Sequence, residues 1–470
     1  MSLTRQLAHN TIYQFAGKII GTVLALIASA QLFRYLAPAA YGEFHIAFTF
    51  VQMTGVIADL GLYLIVLNDI NRPDRDHHYV ISQNFICRFY LNLIYLAGMA
   101  LLALILPYEA AVRWGIFLMS FCNVFLWFSQ IIQTVFQKRF TTYYAAIAEI
   151  IGRGALLLST LLLIYFHASL LPLTLTVVIG NFVTFGLTWY FSRKYLTFSW
   201  KPDPVYIKEV LRRTWPVAVS IWFSLIYFKA DTIILSLFRS TYEVGIYGMP
   251  YRILETLVTL PLMFMGLLMP LLSQAFTVGD QPRFKSYLQK GFDVLALMAV
   301  PLFFGALPLA RQLVLLLAGK DFLQSVPLLQ ILMLGVVMMY LAALFGHAVV
   351  ALGAQKAMIK YYLGVAGVML VLYLVLIPRY SYWAAAWLTV VAETAVLLST
   401  MAVVYARSKF FPSVAVLGKA VVSAIIMASV LYPIRHLTLF LTLPLGAIIY
   451  FGLMYLIGGV KKELVREIIR

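Results

Sequence analysis

Long apolar runs recur along the whole chain, and they constrain its fold more than any other feature. Each run has about 20 residues, the length at which an α-helix crosses the hydrocarbon core of a bilayer. Hydrophobic residues make up 63% of the chain and charged residues 11%, whereas soluble domains carry about 25% charged residues. The pattern predicts an all-α, polytopic integral membrane protein with about fourteen transmembrane helices. The predicted spans are 12–35, 44–67, 81–106, 114–136, 143–166, 170–191, 215–238, 244–272, 291–310, 326–351, 358–378, 383–405, 416–434 and 437–458.

Ionisable side chains lie inside several of these otherwise apolar spans. A charge at the bilayer centre costs about 2.5–3.5 kcal/mol on insertion scales, so a protein retains one where it faces protein or water. A chain that keeps many of them is expected to move a polar substrate across the membrane. The residues are Asp59, Arg88, Glu149, Arg153, Lys229, Asp231, Arg252, Glu255 and Glu393.

The net charge of +17 has a topological explanation. When the N-terminus is placed inside, most of the 35 Lys and Arg residues fall in cytoplasmic loops, as the positive-inside rule describes. We therefore predict a multi-pass protein of the cell (inner, cytoplasmic) membrane with both termini in the cytoplasm. The same distribution argues against nucleic acid as a partner and favours contact with anionic membrane lipids.

The loops are too short to fold as separate domains, and an internal repeat divides the spans. A shift of 203 residues carries the motif YGEF at 41–44 onto VGIY at 244–247. Both motifs are predicted at the outer turn between the first two helices of a half, which indicates parallel repeats. The predicted division is an N-terminal six-helix lobe at 1–200, a C-terminal six-helix lobe with a leading interfacial helix at 201–410, and two extra helices with a cytoplasmic tail at 411–470.

Depth along the spans predicts how the buried charges associate. At 1.5 Å per residue, Asp59 and Arg88 reach similar depths and are expected to pair. Glu149 and Arg153 are spaced i,i+4 and can pair on one helix. The second half offers a four-member group of Lys229, Asp231, Arg252 and Glu255, whereas Glu393 has no obvious local partner. Structural ion pairs that fix helix register are the alternative interpretation of all these charges.

Several functional classes lack their sequence signatures. There is no GxxxxGK[ST] phosphate loop, no His, Cys and acid set with metal-site spacing, and no soluble nucleophile–base constellation. Cys87 and Cys122 are interpreted as structural membrane cysteines. The sequence therefore predicts no enzyme activity, no metal site and no cofactor.

Short motifs in a fixed order resemble one family over nearly the whole chain. They are NT at 10–11, GKII at 17–20, RYLAPAAYGEF at 34–44, ADLG at 58–61, MPLLS at 269–273, AGKDF at 318–322 and LQIL at 329–332. The chain resembles the polysaccharide (O-antigen type) flippases of the multidrug/oligosaccharidyl-lipid/polysaccharide exporter superfamily. Members commonly have Gly at the position of Ala37, so this chain departs from the family there.

The resemblance implies two six-helix lobes around a central cavity, with two further helices at the side. It also implies a flippase that turns a polyprenyl-pyrophosphate-linked oligosaccharide from the cytoplasmic to the outer leaflet during O-antigen and lipopolysaccharide biosynthesis. The predicted substrate-binding residues are the cations that suit a pyrophosphate: Arg88, Arg153, Lys229 and Arg252. The guanidinium fork of the arginines matches phosphate geometry. The predicted charge-balancing or ion-coupling residues are Asp59, Glu149, Asp231, Glu255 and Glu393.

The expected partners are the lipid-linked oligosaccharide, membrane lipids, and a polysaccharide polymerase or glycosyltransferase. Two other functions stay open from the sequence. One is a cation-coupled multidrug antiporter, which would depend little on the buried arginines. The other is a non-transporting membrane subunit of a polysaccharide synthesis complex, which would tolerate neutralisation of the charges inside its spans.

Overall fold

The structure is a computed structural model that describes the backbone of residues 3–59, 61–70, 76–139 and 141–459. Within these ranges it describes all side chains except those of 3–12, 56–58, 64, 68 and 215–228. The predicted cytoplasmic tail beyond Lys461 lies outside the described residues.

The described chain consists of helices and the segments that connect them, as the apolar runs predict. A single turn of 3-10 helix, Lys320–Phe322, stands between two of the longer helices. The α-helices are α1 (Leu3–Asp59), α2 (Leu62–Ile70), α3 (His77–Ile105), α4 (Ala110–Lys138), α5 (Tyr143–Tyr165), α6 (Leu170–Ser192), α7 (Pro204–Phe238), α8 (Thr241–Thr277), α9 (Gln281–Leu317), α10 (Ser325–Ala351), α11 (Gln355–Ser408), α12 (Ala415–Leu431) and α13 (Leu439–Leu456).

The helices confirm the all-α, polytopic fold. Over the described ranges, thirteen of the fourteen predicted spans coincide with a helix or a helical segment once α1 and α11 are divided at their kinks, and the span 44–67 is shared by α1 and α2. Ten of the described helices are long and apolar enough to cross a membrane, and α12 is a shorter apolar helix. The protein is therefore a multi-pass membrane protein.

In two places, two successive predicted spans form one long helix with a kink between them. In α1 the chain turns at Ala37, where φ is 56° and ψ is 175°, directly before Pro38. In α11 it turns at Ser381, where φ is 53°, three residues after Pro378. In α1, Pro38 follows the kink directly. It lacks an N–H and fixes its own φ, so it can open the second helical segment but cannot continue the first.

Other helix limits follow from local signals. Gly61 has a φ of 68° and separates α2 from α1, which interrupts the predicted span 44–67. Asp203 accepts hydrogen bonds from the N–H groups of Val205 and Tyr206, and Pro204 occupies the first turn of α7. This start matches the capping preferences of helices. The predicted interfacial helix and the span that follows it therefore form one helix, α7.

The chain separates into two compact units, Met1–Gly245 and Ile246–Arg470. In the first unit α1, α4, α5 and α6 pack closely together, and α3 packs on α4. In the second unit α10 packs against α9 and α11, and α12 and α13 pack on α9 around Ala424, Met427 and Tyr450. The predicted boundaries at 200 and 410 stay a prediction.

Two glycines related by the sequence repeat meet within the first unit. A Cβ on Gly42 would lie 1.8 Å from the carbonyl oxygen of Thr241, and a Cβ on Gly245 would lie 1.8 Å from that of Pro38. No other residue fits such backbone-to-backbone contact, because any Cβ would overlap a carbonyl oxygen. The repeated glycine is thus required where the start of α8 crosses the second segment of α1.

Candidate functional site

The first pair of buried charges joins the end of α1 to α3. The guanidinium of Arg88 donates to Oδ1 of Asp59 at 2.7 Å and to the Asp59 carbonyl oxygen at 3.1 Å. Asp59 is the last residue of α1, where carbonyl groups lack helical partners, so Arg88 also caps that helix. The pairing of Asp59 with Arg88, predicted from their similar depths in the membrane, is confirmed. The role of either residue in binding substrate stays a prediction.

The environment of Arg88 is closed. Its side chain is fully buried, whereas that of Asp59 is 22% exposed. The guanidinium carbon lies 5.4 Å from the centre of the Trp127 ring on α4, a favourable position for a cation on an aromatic face. In this conformation a substrate can reach Arg88 only if its pair with Asp59 opens.

A second charged group joins α1 and α5. Nζ of Lys18 lies 3.1 Å from Oε1 of Glu149, and the guanidinium of Arg153 lies 4.0 Å from the same oxygen. The side chains of Lys18, Glu149 and Arg153 are 42%, 29% and 35% exposed. The i,i+4 pairing of Glu149 with Arg153 is confirmed, but Lys18 is the closer partner of Glu149. We call Lys18, Glu149 and Arg153 the charged triad.

Glycines on α1 explain how the charged triad forms. Gly17 and Gly21 are one turn apart, and a Cβ on Gly17 would lie 2.7 Å from Cβ of Ala146 on α5. A Cβ on Gly21 would lie 3.4 Å from Cγ of Arg153 and 3.7 Å from Cγ of Glu149. The absent side chains let α5 approach α1 closely, as small residues do between membrane helices. Lys18 therefore reaches the carboxylate of Glu149 on the neighbouring helix.

The predicted four-member group divides between the two units. Lys229 and Asp231 are nearly fully buried in the first unit, and Oδ1 of Asp231 accepts from the N–H of Thr232 at 2.6 Å. In the second unit, Arg252 and Glu255 form an i,i+3 ion pair at 3.1 Å. The local pair is thus present, and the four-member network stays a prediction.

Glu393 is buried in the second segment of α11, at 6% exposure. Its carboxylate lies within electrostatic range of the Tyr362 hydroxyl on the first segment of the same helix. One turn before it, the hydroxyl of Thr389 lies 3.0 Å from that of Tyr247. Glu393 therefore occupies a polar region shared by α8 and both segments of α11, although its role stays a prediction.

Sequence reasoning missed an ion pair between α2 and α7. The guanidinium of Arg213 holds both carboxylate oxygens of Asp69 at 2.9 Å, and Asp69 is fully buried. The hydroxyl of Tyr206 donates to the same carboxylate at 3.3 Å and accepts from the amide of Asn84 at 3.0 Å. Tyr206 and Arg213 share a helix face at i,i+7, which was the available signal for this contact.

The segment that leads into α7 is hydrogen-bonded along α3. The amide of Gln83 donates to the carbonyl of Lys201 at 2.7 Å and accepts from the N–H of Asp203 at 2.8 Å. The hydroxyl of Tyr79 donates to Oδ2 of Asp203 at 2.5 Å. This bond, together with the N–H of Tyr206, holds the pKa of Asp203 below its ordinary value. We call residues 193–203 the linker strap.

One set of potential metal ligands lies at the start of α3. Among the described residues, Asp76, His77 and His78 form the single group whose ligand atoms lie within 4.8 Å of one another. The sequence spacing gave no such prediction. Asp76 already caps α3 by accepting from the N–H of His78, and Nδ1 of His78 accepts from the N–H of Thr197. Two of the three side chains therefore have structural roles.

A second polar network lies deeper between α1, α3 and α4. The amide of Asn123 donates to the carbonyl of Val51 at 2.8 Å and to the hydroxyl of Tyr95 at 2.9 Å. The hydroxyls of Tyr95 and Thr54 are 3.5 Å apart. A Cβ on Gly55 would lie 2.4 Å from the Asn123 amide nitrogen, so this glycine makes room for the network.

A family model decides the classification. The model described as polysaccharide biosynthesis protein matches residues 7–276, more than half of the chain. The chain belongs to the polysaccharide biosynthesis protein family. The charged triad and the Asp59–Arg88 pair both lie inside the region that this family model matches.

Solved structures show that this family member has the fold of the MOP superfamily transporters. The lipid II flippase MurJ, in an inward closed conformation, superposes with a TM-score of 0.75 at 15% identity over 98% of this chain and 100% of that one. An inward-facing MATE multidrug resistance transporter gives 0.65 at 14% identity over 85% and 99%. A MOP superfamily transporter from Pyrococcus furiosus gives 0.63 at 13% identity over 85% and 95%. No curated protein sequence matches significantly.

Proposed function

We propose that the protein is a flippase that moves a polyprenyl-pyrophosphate-linked oligosaccharide from the cytoplasmic to the outer leaflet by alternating access. The charged triad carries this proposal. Its three side chains lie on membrane helices, and each is about a third exposed. Charged groups within a span are exposed where they face a polar or aqueous space rather than acyl chains.

The triad suits a pyrophosphate because, within it, a single carboxylate pairs with two cations. Glu149 pairs with Lys18 and Arg153 together, so the three carry a net charge of about +1 when all are ionised. An arriving pyrophosphate competes with Glu149 for both cations, and the Arg153 fork can bind two of its oxygens. When the substrate leaves, Glu149 pairs with both cations again, so their charge is not left uncompensated in the empty site.

The remaining predicted cations have supporting roles in this proposal. Arg252 is paired with Glu255 and partly exposed, so it is a second candidate for phosphate contact. Lys229 and Arg88 are buried, and they could contact substrate only after a conformational change. The carboxylates Asp59, Asp231, Glu255 and Glu393 would balance these cations or couple transport to an ion.

The family and the fold support the proposal from a second direction. The family is described by polysaccharide biosynthesis, and MurJ, which this chain resembles in fold, is a flippase of lipid II. A role in O-antigen or lipopolysaccharide synthesis, with a polymerase or glycosyltransferase as partner, extends this proposal. So does the predicted inner-membrane location with both termini in the cytoplasm.

A leaflet-resolved assay tests the proposal. The purified protein is reconstituted into liposomes with a fluorescent polyprenyl-pyrophosphate oligosaccharide, and a membrane-impermeant quencher reports the outer-leaflet fraction over time. We expect label to exchange between leaflets with protein present and to stay in place in protein-free liposomes. Exchange at the protein-free rate would contradict the proposal, and ion-driven efflux of a cationic dye in its place would favour the multidrug antiporter that the MATE fold suggests.

A further inference from the structure

A cluster of cations and tyrosines lies where α4 and α6 end at the same face of the first unit. The ammonium of Lys194 lies 4.5 Å from the centre of the Tyr144 ring and 4.8 Å from that of Tyr195. The guanidinium of Arg139 lies 5.3 Å from the same Tyr195 ring. Two cations from different loops are therefore held on one aromatic side chain, which fixes their positions.

A third cation extends this cluster toward α6. The guanidinium of Arg193 lies 5.8 Å from the ring centre of Tyr190, and both side chains are exposed. In the described part of the chain, Arg139, Arg193 and Lys194 form no ion pair with a carboxylate. We call these three residues the basic corner. Its charge is free to bind an external anion.

The position of the basic corner identifies the kind of anion. Leu175, Ile179, Phe182 and Tyr190 form an exposed stripe along α6 at helical spacing. On a membrane helix, an exposed apolar stripe faces acyl chains. This stripe ends at Arg193, and exposed Phe198 and Trp200 follow in the linker strap. Cations and aromatic side chains at the end of a lipid-facing stripe lie at the depth of lipid headgroups.

Apolar surface continues beside Arg193. A narrow cleft there is lined by Phe85 of α3, Ile132 of α4, Trp189 of α6 and Phe198 of the linker strap. The Phe85 ring stacks on Phe128 with centroids 4.3 Å apart and lies 5.5 Å from the Trp189 ring. A molecule with a phosphate at Arg193 could thus lay its glycerol and first methylenes against an aromatic wall.

We propose that the basic corner binds an anionic phospholipid of the leaflet that contacts this face, with its phosphate held by Arg139, Arg193 and Lys194. By the predicted topology this leaflet is the cytoplasmic one. The site is separate from the charged triad, and it does not depend on what the protein transports. The ammonium of Lys194 also donates a hydrogen bond to the hydroxyl of Tyr144, which helps to hold the cation in place.

Native mass spectrometry with dioleoylphosphatidylglycerol measures this site directly. The purified full-length protein is titrated with the lipid, and the dissociation constant of the first bound lipid is determined. Each basic residue near a membrane surface contributes roughly fivefold in affinity, so Arg139→Gln, Arg193→Gln and Lys194→Gln together should weaken binding about 100-fold. Lys285→Gln, Lys356→Gln and Lys360→Gln, which remove three charges from α9 and α11, form the matched control and should leave the constant unchanged.

A conservative test covers the case in which the triple variant does not fold. Arg193→Glu changes one exposed residue whose single described contact is a ring, and it should weaken first-lipid binding more than tenfold by reversing the local charge. Wild-type affinity in this variant, or an equal loss in the matched control, would overturn the proposal. So would equal retention of dioleoylphosphatidylcholine, or displacement of the lipid by millimolar inorganic phosphate, which would indicate a site for a soluble anion.

Discussion

At the residue scale, burial separates the charged side chains into two kinds. Arg88 and Asp69 are fully buried. Arg88 donates two hydrogen bonds to Asp59, and Asp69 accepts two from Arg213. The charged triad is looser and partly exposed. Buried ion pairs often contribute little net stability, although breaking one by removing a partner is costly. The first kind therefore fits structural roles, and the second kind fits an exchangeable site.

The Asp59–Arg88 pair should show an asymmetric response to substitution. Asp59→Asn leaves the fully buried guanidinium without its counter-charge and should lower the free energy of unfolding by about 3–5 kcal/mol. Arg88→Gln should cost less, because the Asp59 carboxylate is partly exposed. The double variant should be less destabilised than the sum of both. A double-mutant cycle on unfolding in detergent measures this coupling, and additive losses would show that the two side chains do not depend on each other.

The conformation of Ala37 predicts a stabilising substitution. Its φ of 56° and ψ of 175° lie in a region that is almost restricted to glycine and costs about 1–3 kcal/mol for other residues. Ala37→Gly relieves this strain at a small entropic cost, so it should stabilise the protein by about 1 kcal/mol. Ala97→Gly, at an exposed position inside α3, should instead destabilise it. Equal melting temperatures for both variants would contradict the strained conformation.

Sequence reasoning found the charge pairs whose partners both lie within predicted spans. Asp59 with Arg88 follows from depth, and Glu149 with Arg153 follows from helical spacing. It missed Asp69 with Arg213 because these residues are 144 positions apart and both were placed in loops, where depth gives no constraint. It also missed Lys18 as the nearer partner of Glu149, since the close approach of α1 and α5 depends on Gly17 and Gly21.

At the scale of elements, hydropathy predicted the helices and missed how they join. Apolar length identifies a span by itself, so every predicted span except 44–67 has its helix in the described chain. The outer turn expected between 35 and 44 is instead a kink at Ala37, because Pro38 can start a helix without any intervening loop. Likewise, α7 begins at its Asp203 cap and continues as one helix.

Replacing Gly42 or Gly245 should disturb the packing of the start of α8 on α1. Gly42→Ala or Gly245→Ala places a Cβ 1.8 Å from a carbonyl oxygen, so α8 must move away from α1, at a cost of about 2–3 kcal/mol. Gly98→Ala is the matched control, since a Cβ there meets nothing within 4 Å and favours the helix. Apparent melting temperatures in detergent compare the three variants. A loss in Gly98→Ala as large as in the other two would contradict the crossing.

The linker strap should respond to acid through Asp203. The pKa of Asp203 in the folded protein lies below the ordinary value, so the ionised carboxylate stabilises the folded strap. This stabilisation is complete above the unfolded pKa of about 3.9 and is lost as the pH falls through the lower, folded pKa. Hydrogen exchange of residues 197–206 should accelerate in that acidic range. Asp203→Asn cannot titrate there, so its exchange should lose this dependence. A wild-type acid response in Asp203→Asn would assign the effect to another group.

At the scale of the whole molecule, the chain follows MurJ along nearly its full length with only 15% identity. Such similarity arises when span number, order and packing are preserved while side chains change. The family motifs and the apolar runs were sufficient to predict this class of fold. They could not predict which charges are exposed, because exposure depends on helix rotation and on the contacts of neighbouring helices.

Leaflet-resolved translocation in proteoliposomes tests whether the charged triad binds the pyrophosphate of the transported lipid, as proposed. Lys18→Gln with Arg153→Gln removes both cations, each charge-assisted contact being worth about 1.5–3 kcal/mol, so translocation should fall at least about 100-fold. Lys356→Gln with Lys360→Gln removes two exposed charges of α11 and should have no effect. Translocation at the wild-type rate by the Lys18 and Arg153 double variant, reconstituted at equal density, would show that the charged triad does not bind the pyrophosphate.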